Sequence, residues 1–184
     1  MCGIGGMLGE PDRAVLSRMN HLLKHRGPDG SGIFIDEDCG LSHTRLAILD
    51  ISGSPQPLFG PGKVGVVNGE IYNHKELRDP MYNYSTNGDS EVILSCHSKK
   101  GDASYHANWI SKLDGMFAFA LWADQQLILA RDSVGIKPLM RTIVGGSLLF
   151  SSEAKALRAH EGYIPEIDEF AMKARIAWEY PLDA

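Results

Sequence analysis

A cysteine directly behind an initiator methionine, as in Met1-Cys2-Gly3-Ile4, becomes the first residue of the chain once the methionine is trimmed. A thiol and a free α-amine then share one residue, so the nucleophile carries its own base. The thiol is a few per cent thiolate at neutral pH, and an amine titrating near pH ~8 can take its proton, directly or through a water. On these residues alone the plainer account is a chance Met-Cys start and a cysteine acting as a small buried hydrophobe. Attack on a carbonyl also needs donors held in place for the oxyanion, commonly backbone N–H groups and an Asn or Gln side chain. Val67-Asn68-Gly69-Glu70 offers both kinds where an apolar strand opens into a loop, and Gly69 lets a ligand approach the backbone. In isolation Asn-Gly is more often a hairpin turn. No pairing strand follows directly here, because Ile71 to Leu77 reads as helical.

Arg45 heads the apolar run Leu46 to Leu49, where a guanidinium fork suits a substrate carboxylate as well as a structural salt bridge. Asp89 follows Gly88 at a helix start, where N-capping is the ordinary role. Together an arginine and an aspartate would read both ends of a free amino acid, a hypothesis that spacing leaves open. His21 and His25 stand four apart without an HExxH pattern or a third ligand, so no metal is expected. Phosphate-binding glycine loops of the GxGxxG or Walker type are absent. Arg131 to Pro138 reads as a salt-bridged turn between strands, and Lys99-Lys100 as a solvated helix end.

These residues need a scaffold. Gly3 to Leu8 reads as a strand, followed by a helix with Val15, Leu16, Met19, Leu22 and Leu23 on one face and Asp12 as its cap. His25 to Gly30 must turn, because Pro28 and its glycines cannot continue a helix. Strands are expected at Ser31 to Ile35, Leu41 to His43, Leu46 to Leu49 and Val64 to Val67, with Ser54 to Pro57 as a loop among them. A second helix is expected from Asp89 to Lys99. Four strands follow, at Met116 to Trp122, Gln126 to Ala130, Leu139 to Val144 and Leu148 to Ser151, joined by turns at 123–125, around Gly135 and at Gly145-Gly146. Connections that short imply antiparallel pairing. Helical patterning returns at Glu153 to His160 and at Ile167 to Glu179.

Met116 to Trp122 is apolar on both faces, with Phe117, Phe119 and Leu121 on one side and Ala118, Ala120 and Trp122 on the other. A strand with one wet face alternates, so this one is covered on both. The economical fold is α+β, a four-layer α-β-β-α sandwich of two stacked antiparallel sheets flanked by helices. A two-layer α+β domain would explain the doubly apolar strand less well.

The 184 residues are enough for one domain with a real core. A formal net charge of −5 without long basic clusters argues against nucleic acid or an anionic membrane surface as partner. No segment reads as a secretory leader or a membrane span. Cys2, Cys39 and Cys96 are odd in number and lack a CxxC pair, which fits a reducing cytoplasm and no structural zinc. The sequon Asn83-Tyr84-Ser85 carries no meaning there.

Taken together, the chain resembles the glutaminase domain of class II glutamine amidotransferases, most closely that of the asparagine synthetase family. The resemblance rests on Met1-Cys2-Gly3-Ile4, His25-Arg26-Gly27-Pro28-Asp29, Arg45-Leu46-Ala47-Ile48, Val67 to Asn73 and Gly88-Asp89-Ser90-Glu91. It continues through Leu113 to Ala120, Arg131-Asp132 to Pro138-Leu139, and Ser152 to Leu157, in family order over nearly the whole chain. It implies the N-terminal-nucleophile form of the four-layer fold. It also implies Cys2 as nucleophile with its α-amine as base, and Asn68 with the Gly69 N–H as oxyanion hole. Arg45 would hold the α-carboxylate of L-glutamine, Asp89 with Glu70 nearby its α-ammonium, and backbone around Leu46 and Ile48 would line the pocket. The product ammonia would pass to an ATP-dependent synthetase domain or subunit, with asparagine formation the default chemistry.

The SGGxDS loop of that synthetase domain is missing. Residues 1–160 are therefore expected to be the amidotransferase domain and 161–184 the start of a connection toward a missing C-terminal domain. Tyr180 to Ala184 reads as a cut in a longer chain. No cofactor is expected in this domain, ATP and Mg belonging to the missing one, and the resemblance leaves room for a homodimer. Met140 stands where the family often has an aromatic residue, which alters the expected inter-domain surface. Two other readings stay open, an amidase of the same mechanism on another amide and a non-catalytic scaffold or glutamine sensor.

Overall fold

The structure, a computed structural model, describes residues 1–51, 53–98 and 109–178. In chain order its strands are β1 (Gly3–Leu8), β2 (Gly30–Ile35), β3 (Cys39–Arg45), β4 (Leu58–Gly60), β5 (Lys63–Ile71), β6 (Gly115–Ala123), β7 (Gln126–Arg131), β8 (Met140–Val144) and β9 (Ser147–Ser151). The helices are α1 (Arg13–Leu23), α2 (His74–Leu77), α3 (Val92–Ser98), α4 (Ala154–Leu157) and α5 (Glu169–Trp178). The strands form two sheets, in the orders β2-β3-β1-β9-β8 and β4-β5-β6-β7. Every paired neighbour is antiparallel.

The doubly apolar β6 explains the stacking. Its Phe117, Phe119 and Leu121 pack outward against Val92, Ile93 and Cys96 of α3 and against Trp109. Its Ala118, Ala120 and Trp122 face inward, meeting Ile4, Leu41 and Phe150 of the other sheet. The two alanines let the sheets approach closely, and the Trp122 indole N–H donates to Asp36 Oδ2 at 2.7 Å. On the far side Val15, Leu16, Met19 and Leu23 of α1 and Leu157 of α4 cover Met7 and Leu149. Side chains of this size contribute about 1.5–3 kcal/mol each when fully buried. The result is the expected α-β-β-α order of layers. Helix α1 begins where Asp12 accepts a hydrogen bond from the Ala14 N–H at 2.7 Å, an N-cap as predicted.

The hairpins β6-β7 and β8-β9 turn through consecutive residues of positive φ, Asp124 and Gln125 in one and Gly145 and Gly146 in the other. The connection around Gly135 differs from expectation. Strands β7 and β8 belong to different sheets, so residues 132–139 carry the chain from one sheet to the other. Nor is this a salt-bridged turn. The Asp132 carboxylate accepts backbone N–H groups from Phe117, Ile136 and Lys137.

Three further expectations are corrected. Leu46 to Leu49 is loop, because β3 ends at Arg45 and Ile48 and Leu49 lie largely exposed. Strand β5 does not open at Asn68 but runs on to Ile71 along β6. The helix expected over Ile71 to Leu77 is a single turn, α2. Helices α3 and α4 are shorter than predicted, and α5 buries only Ala174. Lys99-Lys100, Glu179 and Tyr180 to Ala184 lie outside the described residues.

Candidate active site

Cys2 stands one residue before β1, the middle strand of its sheet. Its sulfur lies between the two polar groups of one residue, accepting from the Leu46 N–H at 3.4 Å and donating to the Leu46 carbonyl at 3.6 Å. Its carbonyl accepts the Arg26 Nε–H at 2.8 Å. Arg26 Nη1 in turn donates to Glu153 Oε1 at 2.8 Å, a carboxylate shared with His25 at 2.9 Å and Lys155 at 3.1 Å. Burial pushes the Cys2 thiol above its ordinary pKa, although the Leu46 N–H, the terminal ammonium and Arg45 pull it back. A thiol so placed needs a base beside it to become a nucleophile.

Strand β5 supplies the second part of the site. Asn68 is fully buried, and among the described residues neither amide atom has a hydrogen-bond partner. Gly69 sits at φ +146, and a Cβ there would strike the Met116 carbonyl, so only glycine lets β5 lie against β6 at this point. The residue before them is fixed from two directions. Gln56 accepts the Val67 N–H at 2.7 Å and donates to the Val67 carbonyl at 3.2 Å, standing in for a neighbouring strand. His43 Nε2 donates to the same carbonyl at 3.1 Å. Complete burial lowers the His43 pKa to about 4 against the pull of that bond, so the ring is neutral at pH 7.

Loops close the remaining sides. Arg45 makes no ion pair among the described residues. It donates to the carbonyls of Ile51 at 2.7 Å and Asp50 at 2.8 Å, holding the loop after β3. Asp29 ties down the start of that loop, its N–H donating to the Arg45 carbonyl and its carboxylate accepting the Ala47 N–H, each within 2.9 Å. Asp89 does not cap α3 with its carboxylate. The carboxylate accepts the Ile71 N–H at 2.7 Å, which joins it to the end of β5. Glu91, nearly fully buried, gathers the N–H groups of Ser85 and Thr86 and the Thr86 hydroxyl.

A cavity of about 150 Å³ lies between these parts, and Cys2, Arg45, Leu46, Ile48, Asn68, Gly69, Glu70 and Asp89 all line it. The structure thus brings to one cavity the eight residues to which the resemblance assigned a role. It adds Arg26 and Gln56 as supports, and Met116 and Lys137 as lining residues, to which no role had been assigned. Arg26 stood inside a quoted motif, but only the fold brings it to the Cys2 carbonyl.

The profile of the glutamine amidotransferase domain matches residues 1–183. The chain belongs to the glutamine amidotransferase family. Among its relatives, asparagine synthetase (glutamine-hydrolyzing) 2 of Oryza sativa subsp. japonica is 44% identical over 85% of this chain and 28% of that protein. Asparagine synthetase (glutamine-hydrolyzing) 1 of Bacillus subtilis is 35% identical over 98% of this chain and 30% of its own length. This amidotransferase chain therefore spans under a third of the curated relatives it matches. Among solved structures, glutamine phosphoribosylpyrophosphate amidotransferase from B. subtilis superposes with a TM-score of 0.70 at 21% identity, covering 86% of this chain and 43% of that one. That likeness places the amidotransferase sandwich in the N-terminal-nucleophile fold.

Proposed function

We propose that this domain hydrolyses the side-chain amide of L-glutamine with Cys2 as the N-terminal nucleophile, after removal of Met1. The observation that carries the reading is the convergence of Cys2, Asn68, Gly69, Arg45 and Asp89 on one cavity. The α-amine of Cys2 takes the thiol proton, and the sulfur attacks the amide carbon. The oxyanion accepts hydrogen bonds from the Asn68 amide, which has no partner among the described residues, and from the Gly69 N–H. The amine returns its proton to the leaving nitrogen, the C–N bond breaks and ammonia departs. Water then cleaves the thioester to glutamate and free Cys2.

Arg45 has N–H groups left over from its loop contacts and would hold the α-carboxylate. Asp89, with Glu70 beside it, would hold the α-ammonium, while Leu46 and Ile48 shape the pocket. Ammonia released here would serve an ATP- and Mg-dependent synthetase part, with asparagine the product by analogy with the relatives. No residue of this chain is assigned to ATP or Mg. Helix α5, with Phe170, Ile176 and Trp178 exposed, would lead toward that part.

The reading is tested by incubating the purified chain with a diazo-ketone glutamine analogue, following intact mass, and assaying glutamate release alongside Cys2→Ala. The expected result is loss of Met1, one adduct at Cys2 and no turnover in the variant. A processed, folded chain with no adduct and no glutamate release would overturn it.

A further inference from the structure

Lys137 lines the same cavity as Cys2, Asn68 and Gly69, yet none of the roles above uses it. The residue is only 5% exposed. Among the described residues, no hydrogen bond or ion pair reaches its ammonium. Its backbone, by contrast, is firmly held. The Lys137 N–H donates to Asp132 Oδ2 at 3.0 Å, and the Phe117 N–H donates to the same oxygen at 3.2 Å. Phe117 is the cross-strand partner of Gly69. One carboxylate therefore staples the lysine to the residue facing Gly69, on the wall of the cavity built from β5 and β6.

A buried lysine whose ammonium is paired with no carboxylate works against folding, and such residues are rarely kept without a use. Glu70 and Asp89 line the same cavity, yet neither pairs with it. A cation left unpaired in the resting site is available to charge that arises only during reaction. We infer that Lys137 is a further electrostatic residue of the site, its ammonium stabilising the oxyanion that develops beside Asn68 and Gly69. The inference rests on the reading of the site as a glutaminase. It separates two cations by the stage at which they act. Arg45 meets a carboxylate present in substrate and transition state alike and governs KM, whereas Lys137 meets charge present only in the transition state and governs kcat.

The test compares the wild-type chain with Lys137→Met and Lys137→Arg for glutamate release over a range of glutamine concentrations and for thermal midpoint. In Lys137→Met, kcat is expected to fall about tenfold with KM held within about twofold. Lys137→Arg is expected to recover most of the loss. The midpoint of Lys137→Met should equal or exceed that of wild type, because an uncompensated buried charge is gone. Unchanged kcat in Lys137→Met overturns the inference. So does a higher KM at constant kcat, which would place the lysine in ground-state binding. A loss of activity together with a lower midpoint and no recovery in Lys137→Arg also overturns it, marking a structural residue. If wild type neither releases glutamate nor takes the adduct at Cys2, the glutaminase reading itself has failed and the inference falls with it.

Discussion

Arg26 grips the carbonyl of Cys2 through Nε at 2.8 Å while Glu153 holds the other end of the same guanidinium at 2.8 Å. The backbone of Cys2 is thereby moored across the sheet to the start of α4. A lysine cannot make both contacts at once, since it is a point charge without a planar fork. Arg26→Lys is therefore expected to reduce kcat/KM for glutamine by about 10²-fold. Glu153→Gln, which keeps the shape but loosens the grip, should cost about tenfold. Steady-state kinetics of the two variants check the order; equal activity in all three chains would show that the mooring is dispensable.

Two groups, buried His43 and partly exposed Glu153, divide the acid limb of the stability curve. His43 titrates at about 4 in the fold against ~6.5 in the unfolded chain, so the unfolded state binds its proton first. Stability from this residue is full above pH ~6.5 and is lost as pH falls toward about 4. Glu153 is lowered to about 2, hydrogen bonds from Arg26, His25 and Lys155 outweighing burial, so its contribution is full above the ordinary glutamate range and is lost on the way to about pH 2. Denaturant unfolding measured from pH 7 to pH 3 should flatten in the upper window for His43→Gln and in the lower one for Glu153→Gln.

Gly69→Ala places a methyl group against the Met116 carbonyl at a backbone angle that L-residues avoid. A loss of at least about 2 kcal/mol is expected from the two effects together. Chemical denaturation measures it directly, and a shift under ~0.5 kcal/mol would mean that β5 and β6 can part here without cost.

Asn68 should behave in the opposite sense. Its amide is buried without a partner among the described residues, so Asn68→Ala removes an unsatisfied group while leaving a small void, and the two terms nearly cancel to within about 1 kcal/mol. Activity should nonetheless fall about 10²- to 10³-fold. Parallel glutaminase assays and thermal melts separate the two effects. A variant that melts far lower would show the amide to be a structural group.

Much of this was legible from residue types because the signals are local. The doubly apolar β6 announced two covering layers, and the paired positive-φ turns marked the hairpins. Leu46 to Leu49 misled because its apolar residues look like a strand but face a cavity and solvent, held by Arg45 and Asp29 rather than by a neighbouring strand. The turn at 132–139 misled for a related reason, as its aspartate serves backbone N–H groups instead of the adjacent arginine. Arg26 and Gln56 act through partners that no spacing rule connects, such as Arg26 with Glu153, 127 residues away.

The place of β1 between β3 and β9 has a temporal side. Its pairing with β3 closes a short loop, whereas its pairing with β9, which ends at Ser151, closes a long one, so in folding the second edge of β1 is expected to be filled later than the first. That late closure also brings Glu153, two residues beyond β9, to Arg26, so the support behind the Cys2 carbonyl is completed only when both edges of β1 are paired.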